Sequence, residues 1–238
     1  MLLIIGNLLG GHILVPDYLR TCSLAAAYYK WMQRYVVPRL PAWRLTPNRV
    51  SWIGMLVSMA VPLGFRAHPF WGFVLILFSS VADSLDGLMA RQQNSSSRWG
   101  AFLDSNLDRI SDFFYLLGFW VLLSRTAGPT AAGLSVFTCI LLTMMISYTK
   151  ARAEGLGCPC PVGLMERGLR VIYLMLWALA LILLPSHTTS VLWMGLTLYG
   201  ALTLATVIQR IIYIRHRLQG PDAGSTPVGP RDHGSRPI

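Results

Sequence analysis

Five of the ten acidic residues of this chain lie in one region, between positions 83 and 112. The segments that carry them are otherwise apolar enough to be buried in a membrane. A carboxylate at the centre of a membrane helix costs about 2.5–3.5 kcal/mol on insertion scales, so five of them cannot face lipid. We therefore expect them near a membrane interface, facing the interior of a helix bundle and neutralised by cations. The five residues are Asp83, Asp86, Asp104, Asp108 and Asp112.

The spacing of the first four aspartates indicates which cations these are. Asp83 and Asp86 are three residues apart at the end of one apolar segment, and Asp104 and Asp108 are four apart at the start of the next. Each pair shares one helix face, with Cβ atoms about 5–6 Å apart, and the short connection lets the two faces meet. Four carboxylates form an oxygen-only cage, which favours Mg²⁺ or Mn²⁺. Two such ions, about 3.5–4 Å apart in two-metal sites, would balance the four charges.

Aspartate–arginine pairs are the alternative interpretation, with Arg91, Arg98 and Arg109 as the nearby partners. Three arginines cannot neutralise five aspartates, so the metal interpretation is favoured. Gly87 and Gly100 lie beside the carboxylates, where a bulky ligand would need a close approach to the backbone. Helix packing explains each glycine equally well.

The composition indicates a membrane protein built as one helical bundle. The 238 residues are 54% hydrophobic and 13% charged, whereas a soluble domain has about 25% charged residues. The mean hydropathy is +0.52. A net charge of +10 suits loops that face an anionic lipid surface, and we expect no nucleic-acid partner. Cys158-Pro-Cys160 is too close for an ordinary disulfide, so we interpret the cysteines as reduced and structural.

Six apolar stretches are long enough to cross the hydrocarbon core, which takes about 20 helical residues. They predict an all-α integral membrane protein with six transmembrane helices, in a domain of residues 45–218. Residues 1–44 form an N-terminal segment, in which residues 23–37 suit an amphipathic helix on the membrane surface; residues 1–15 are apolar but too short to span. Residues 219–238 predict a disordered tail. The predicted spans are residues 50–65, 69–90, 101–123, 130–149, 163–184 and 190–214.

The basic residues predict the orientation of these spans. Of the 20 lysines and arginines, 18 fall on one side of the predicted membrane, and only Arg66 and Arg125 fall on the other. Positive charge is enriched in cytoplasmic loops. We therefore expect a multi-pass protein of the cell membrane, with both termini and the aspartates at the cytoplasmic side.

The aspartate region resembles the signature of the CDP-alcohol phosphotransferase family. The spacing matches that signature at every defined position, and Leu45-Thr46-Pro47-Asn48 ahead of the first span is also similar. The resemblance covers about residues 35 to 218 and implies six spans preceded by a juxtamembrane helix. The eight fixed positions are Asp83, Asp86, Gly87, Ala90, Arg91, Gly100, Asp104 and Asp108.

This resemblance implies a reaction and roles for the matching residues. The reaction moves a phosphatidyl-type group from a CDP-linked lipid to an alcohol and releases CMP. Asp83, Asp86 and Asp104 would hold two divalent ions, and Asp108 would act as general base and also contact the metal. Asp112 has no role in the signature, and family members commonly form homodimers. The residues expected to contact the cytidine nucleotide are Gly87, Ala90, Arg91 and Gly100.

A second group of buried charges bears on the alcohol. Lys150, Arg170 and Arg210 lie on three different predicted spans at the level of the aspartates. Cations that converge from three helices suit a phosphate on the acceptor. Ordinary enrichment of positive charge at the cytoplasmic side is the alternative. Glu166 lies one turn before Arg170 and could pair with it.

The sequence around these cations resembles the phosphatidylinositol-phosphate synthase branch of the family and its archaeal counterpart. The similar segments are residues 147–157, 166–170 and 209–210. In that branch, the residues that match Lys150, Arg170 and Arg210 bind the phosphate of inositol 1-phosphate. The resemblance therefore implies inositol 1-phosphate as the acceptor, with glycerol 3-phosphate as the alternative.

Two classes outside the family could also use buried carboxylates. A membrane prenyltransferase binds diphosphate through Mg²⁺, but we would expect two aspartate motifs far apart in the sequence and more helices. A divalent-cation transporter also binds ions through carboxylates. A transporter, however, has no need of the glycine and arginine spacings or of a basic pocket beside the acids.

Overall fold

The computed structural model describes residues 31–36, 46–92 and 97–219, and the regular elements in these parts of the chain are helices, with no strand. The predicted all-α class is therefore confirmed. A short π-helical turn, Met32–Val36, precedes the bundle, and a 3₁₀ turn, Pro185–His187, precedes the last helix. The helices are α1 (Pro47–Met59), α2 (Val61–Ala67), α3 (Pro69–Gln92), α4 (Arg98–Ala127), α5 (Pro129–Gly155), α6 (Arg167–Leu183) and α7 (Thr188–Gln219).

Local sequence explains where several helices begin. Pro47, Pro69 and Pro129 each stand at the first position of a helix, where the missing N–H costs nothing. Ser97 caps α4, because its Oγ accepts a 2.9 Å hydrogen bond from the N–H of Gly100. Gly128 separates α4 from α5 with a φ of 80°, a conformation that favours glycine.

Four stretches are long and apolar enough to cross a membrane: Pro47–Ala67, Pro69–Ala90, Pro129–Gly155 and Pro185–Gln219. The prediction of a membrane protein is supported, but the predicted number of six spans is not shown. The other two predicted spans correspond to α4 and α6. The first half of α4 carries three aspartates and two arginines, and α6 has only 17 residues.

Several predictions fall on parts of the chain outside the described residues. Residues 1–15 and the predicted tail after Gln219 lie there. Only residues 31–36 of the predicted surface helix are described. That helix and the domain limits remain predictions.

Large aromatic side chains fill the centre of the bundle and fix how α4 and α6 face each other. The rings of Phe119 on α4 and Trp177 on α6 stack with centroids 3.9 Å apart, and Phe65 packs against Phe119 at 4.7 Å. Gly118 allows this packing, since a Cβ there would lie 2.5 Å from the Phe65 ring. Small residues commonly permit such close packing between membrane helices.

Buried hydroxyl groups tie the three helices around the aspartates together. Tyr115 on α4 donates a 2.7 Å hydrogen bond to Ser79 on α3, and Ser79 donates a 2.7 Å bond to the carbonyl of Gly54 on α1. Such bonds stabilise membrane bundles modestly, by about 0.6 kcal/mol each. They also limit sliding and rotation of α3 and α4, which carry the carboxylates.

Candidate active site

Three carboxylates from two helices converge at one end of the bundle. Single oxygen atoms of Asp83 on α3 and of Asp104 and Asp108 on α4 all lie within 4.8 Å of one another, and the three side chains are half-buried. The spacing of the aspartates predicts this meeting of the two helix faces. The cleft around them is also lined by residues of α1, which contributes Ser51, Gly54 and Met55.

Asp86 lies beside this group and is bonded to α1. It is only 5% exposed, and its Oδ2 accepts a short hydrogen bond from the hydroxyl of Ser51. Ser51 itself lines the cleft of the three carboxylates. The structure therefore places the fourth predicted ligand next to the cluster, with one oxygen held by a serine that sequence reasoning had not singled out.

Arg167 contacts two of the three clustered carboxylates. Its Nη1 donates a short hydrogen bond to Oδ2 of Asp83, and its Nη2 lies 2.9 Å from Oδ1 of Asp108. The arginines closer to the aspartates in the sequence are the partners in the alternative interpretation. Among these, Arg109 donates to the carbonyl of Ser105 on its own helix. The sequence signal that points to Arg167 is its position one turn before Arg170, on the same helix face.

Arg98 is exposed, and the side chain of Arg91 lies outside the described part of the chain. Neither of these two arginines is therefore shown as a partner of the aspartates.

One turn further along both helices, a second arginine meets a second aspartate. Arg170 Nη2 lies 2.7 Å from Asp112 Oδ2, and both side chains are 3% exposed. Arg170 Nη1 also donates to the carbonyl of Met165 at 3.0 Å. Asp112, which had no role in the sequence analysis, is thus the buried partner of a predicted acceptor-binding residue. Arg167–Asp108 and Arg170–Asp112 form two parallel ion pairs between α6 and α4.

Arg210 on α7 is also buried and bonded to the backbone. Its Nε donates to the carbonyl of Val162 at 2.8 Å, and its Nη1 donates to the carbonyl of Ile146 at 2.5 Å. Nη2 lies 3.9 Å from Glu166. The pairing of Glu166 with Arg170 expected from sequence is therefore not observed, because Arg170 has turned inward to Asp112. Lys150, the third predicted cation, is half-buried at the end of α5.

The candidate nucleotide-binding residues lie at the two ends of the 93–96 connection. Gly87 is exposed, and a Cβ at this position would meet no atom within 4 Å, so the glycine leaves open space beside Asp86. At Gly100, a Cβ would lie 3.1 Å from Ser97 Oγ and 3.4 Å from Asn48 Oδ1. Asn48 belongs to the family-like segment before the first span. Ala90 is half-buried.

None of the described cysteines lines the cleft of the three carboxylates. Cys139, Cys158 and Cys160 are free and buried, as expected for reduced structural residues. Burial raises the pKa of the Cys160 thiol, and Arg210 and Lys150 partly offset that rise. This thiol is therefore protonated at neutral pH and is a poor nucleophile.

Comparison with known proteins gives one consistent relationship. A model of the CDP-alcohol phosphatidyltransferase family matches residues 44–215. The archaetidylinositol phosphate synthase of Methanothermobacter thermautotrophicus is 32% identical over 189 residues, which are 79% of this chain and 92% of that protein. The phosphatidylinositol phosphate synthase of Streptomyces avermitilis is 34% identical over 189 residues, covering 76% of this chain and 77% of its own. The branch predicted from sequence is confirmed.

Solved structures show the same relationship. The phosphatidylinositol phosphate synthase of Mycobacterium tuberculosis with CDP-DAG bound matches with a TM-score of 0.66 and 27% identity, over 77% of this chain and 94% of that chain. The same enzyme in complex with manganese and citrate matches with a TM-score of 0.66 and 28% identity, over 76% of this chain and 88% of that chain.

Proposed function

The chain belongs to the CDP-alcohol phosphatidyltransferase family, and from this premise we propose that it transfers a phosphatidyl-type group from a CDP-linked lipid to inositol phosphate. The chain is a transferase of phospholipid synthesis, like its curated relatives. Prenyltransferase and transporter functions are set aside by this membership. The convergence of Asp83, Asp104 and Asp108 within 4.8 Å carries the proposal, because it provides the negative cluster that diphosphate chemistry through divalent ions requires.

The donor chemistry of this cluster fits Mg²⁺ or Mn²⁺. All ligand atoms are carboxylate oxygens, which these ions prefer over the nitrogen and sulfur ligands of zinc sites. Asp83, Asp86 and Asp104 would hold two ions, with Asp108 as a further contact, and these ions would neutralise charge on the diphosphate and on the departing CMP. The M. tuberculosis relative solved in complex with manganese supports this ion class.

Asp108 is the proposed general base. Its carboxylate lines the same cleft as Asp83 and Asp104, and it would accept the proton of the acceptor hydroxyl as that oxygen attacks phosphorus. Gly87, Ala90, Arg91 and Gly100 are the proposed contacts of the cytidine nucleotide. The open surface at Gly87 beside Asp86 supports that placement.

Lys150, Arg170 and Arg210 are the proposed acceptor-phosphate residues. Arg210 donates to the carbonyl of Ile146, one turn before Lys150 on α5, and the two arginines donate to carbonyls of the same 156–166 segment. Because both arginines already hold protein groups, we propose that Lys150 makes the most direct contact. The arginines would attract the phosphate mainly through their positive charge, and they would hold the 156–166 segment in place through hydrogen bonds to its carbonyls. Glycerol 3-phosphate, which offers the same phosphate, is the alternative acceptor.

The remaining parts of the proposal concern the setting. We propose six spans with a surface helix before them, a cytoplasmic active site in the cell membrane, and a homodimer. The excess of basic residues on one predicted side supports this orientation.

A panel of acceptors tests the proposal. The full chain in detergent is incubated with CDP-diacylglycerol or its archaeal ether counterpart, Mg²⁺ or Mn²⁺, and one acceptor, and CMP release is measured. We expect inositol 1-phosphate to be best, glycerol 3-phosphate second, and free inositol and serine poor. Full turnover in excess chelator would contradict the metal mechanism. Efficient use of free serine would contradict the acceptor while leaving the family assignment intact.

A further inference from the structure

Arg167 occupies carboxylate oxygens that the proposed ions also need. Its two terminal nitrogens contact one oxygen each of Asp83 on α3 and Asp108 on α4. The guanidinium therefore joins two helices across the cleft, as a divalent ion bound between them would. Its Nε is buried and has no hydrogen-bond partner within the described part of the chain, so its strong contacts in the structure are those with the carboxylates.

The neighbouring ion pair explains how Arg167 reaches this position. Arg170 and Asp112 are both almost fully buried and lie one helical turn from Arg167 and Asp108. A buried pair with this geometry cannot slide without exposing an unpaired charge. It therefore fixes the rotation and height of α6. Arg167, at the first turn of that helix, then lies within contact of Asp83 and Asp108.

We propose that Arg167 is a displaceable internal cation that competes with the divalent ions for Asp83 and Asp108. The inference rests on the proposed metal site. Two cations that contact the same carboxylate are only a few ångströms apart, and at an effective dielectric constant of about 20 their repulsion corresponds to a tenfold or larger change in affinity. Ion binding thus requires Arg167 to give up at least one of its two contacts.

If Arg167 instead supported ion binding, its removal would change the metal affinity in the opposite direction. An outer residue that orients metal ligands supports ion binding, and its removal typically weakens metal affinity by about 10–100-fold. A competitor weakens ion binding, so its removal strengthens it. The direction of one affinity change therefore separates the two roles.

The first experiment measures Mn²⁺ binding by the full chain in detergent, following the electron paramagnetic resonance signal of free Mn²⁺. We expect Arg167→Gln to bind Mn²⁺ about tenfold more tightly than the wild type. Arg152→Gln is the matched control, because Arg152 is exposed on α5 and its loss removes the same charge; its affinity should stay near the wild-type value. Unchanged or weaker binding by Arg167→Gln overturns the competition.

A second measurement needs no variant and uses the wild-type chain. Arginine modification by phenylglyoxal is followed by mass spectrometry at residues 167 and 170, in excess EDTA and in saturating Mn²⁺. We expect Arg167 to react several-fold faster in Mn²⁺, while Arg170 stays protected in both conditions. An equal rate at Arg167 overturns the proposal. Absence of any Mn²⁺ binding to the wild type would remove the proposed metal site as well, which distinguishes the two failures.

Discussion

Arg170 of α6 and Asp112 of α4 form an ion pair of 2.7 Å in which both side chains are 3% exposed. Burial makes such a pair sensitive to the loss of one member, since the other is left as an uncompensated charge. The pair also connects two helices whose contact is otherwise made by long side chains such as Phe119 and Trp177. The effect of the pair on the free energy of unfolding can therefore be measured separately from the proposed effect of Arg170 on acceptor binding.

Removing Asp112 alone should destabilise the fold strongly. We expect Asp112→Ala to lower the free energy of unfolding by about 3–5 kcal/mol, because Arg170 would remain buried without its counter-charge. Thermal unfolding in detergent measures this. The double variant Asp112→Leu with Arg170→Met removes both charges and should recover much of the loss. A single variant as stable as the wild type would contradict the structural role of the pair.

Asp108→Asn should abolish turnover while leaving CDP-lipid binding largely intact. The base is lost, whereas three proposed metal ligands remain, and general-base catalysis typically contributes about 10²–10⁴-fold. CMP release and binding of radiolabelled CDP-lipid are measured in parallel, with Asp83→Asn as the comparison. If both variants lose CDP-lipid binding equally, Asp108 is primarily a ligand.

Lys150→Ala should raise the acceptor KM without destabilising the fold. A charge-assisted hydrogen bond to phosphate is worth about 1.5–3 kcal/mol, or one to two decades in KM where KM follows binding. The KM for CDP-lipid should change much less. Arg152→Ala, which removes an exposed cation two residues further along α5, serves as the control. Equal increases in the acceptor KM for the two variants would show that Lys150 acts only as part of the general positive surface charge.

Gly163→Ala should disturb the segment that Arg210 holds. Gly163 has a φ of +147°, and a Cβ there would lie 2.8 Å from Arg210 Nη2. Backbone strain of this kind costs about 1–3 kcal/mol, so we expect a lower unfolding temperature together with a higher acceptor KM. Gly155→Ala is the matched control, since a Cβ at Gly155 would meet no atom within 4 Å. A Gly163 variant that behaves like the control would show that the segment is free to move.

The aspartate cluster could be predicted because its geometry is mostly local. Residues three or four apart share a helix face whatever the tertiary structure, so Asp104 and Asp108 had to project together. The all-helical class and the membrane character followed from apolar length in the same way. Apolar length alone does not decide the number of spans, because a helix such as α4 combines an apolar half with a charged half, and its position depends on its neighbours.

The sequence by itself determined the family, the carboxylates and their shared helix faces, because a helix converts spacing directly into direction. Only the tertiary structure decided which cation meets which carboxylate. Arg167 reaches Asp83 from 84 residues away, and Arg170 reaches Asp112 from 58. Those meetings depend on the rotation and height of α6 against α4, which the stack of Phe119 on Trp177 and the buried ion pair set together. Packing of this kind cannot be read from the spacing of residues in either helix.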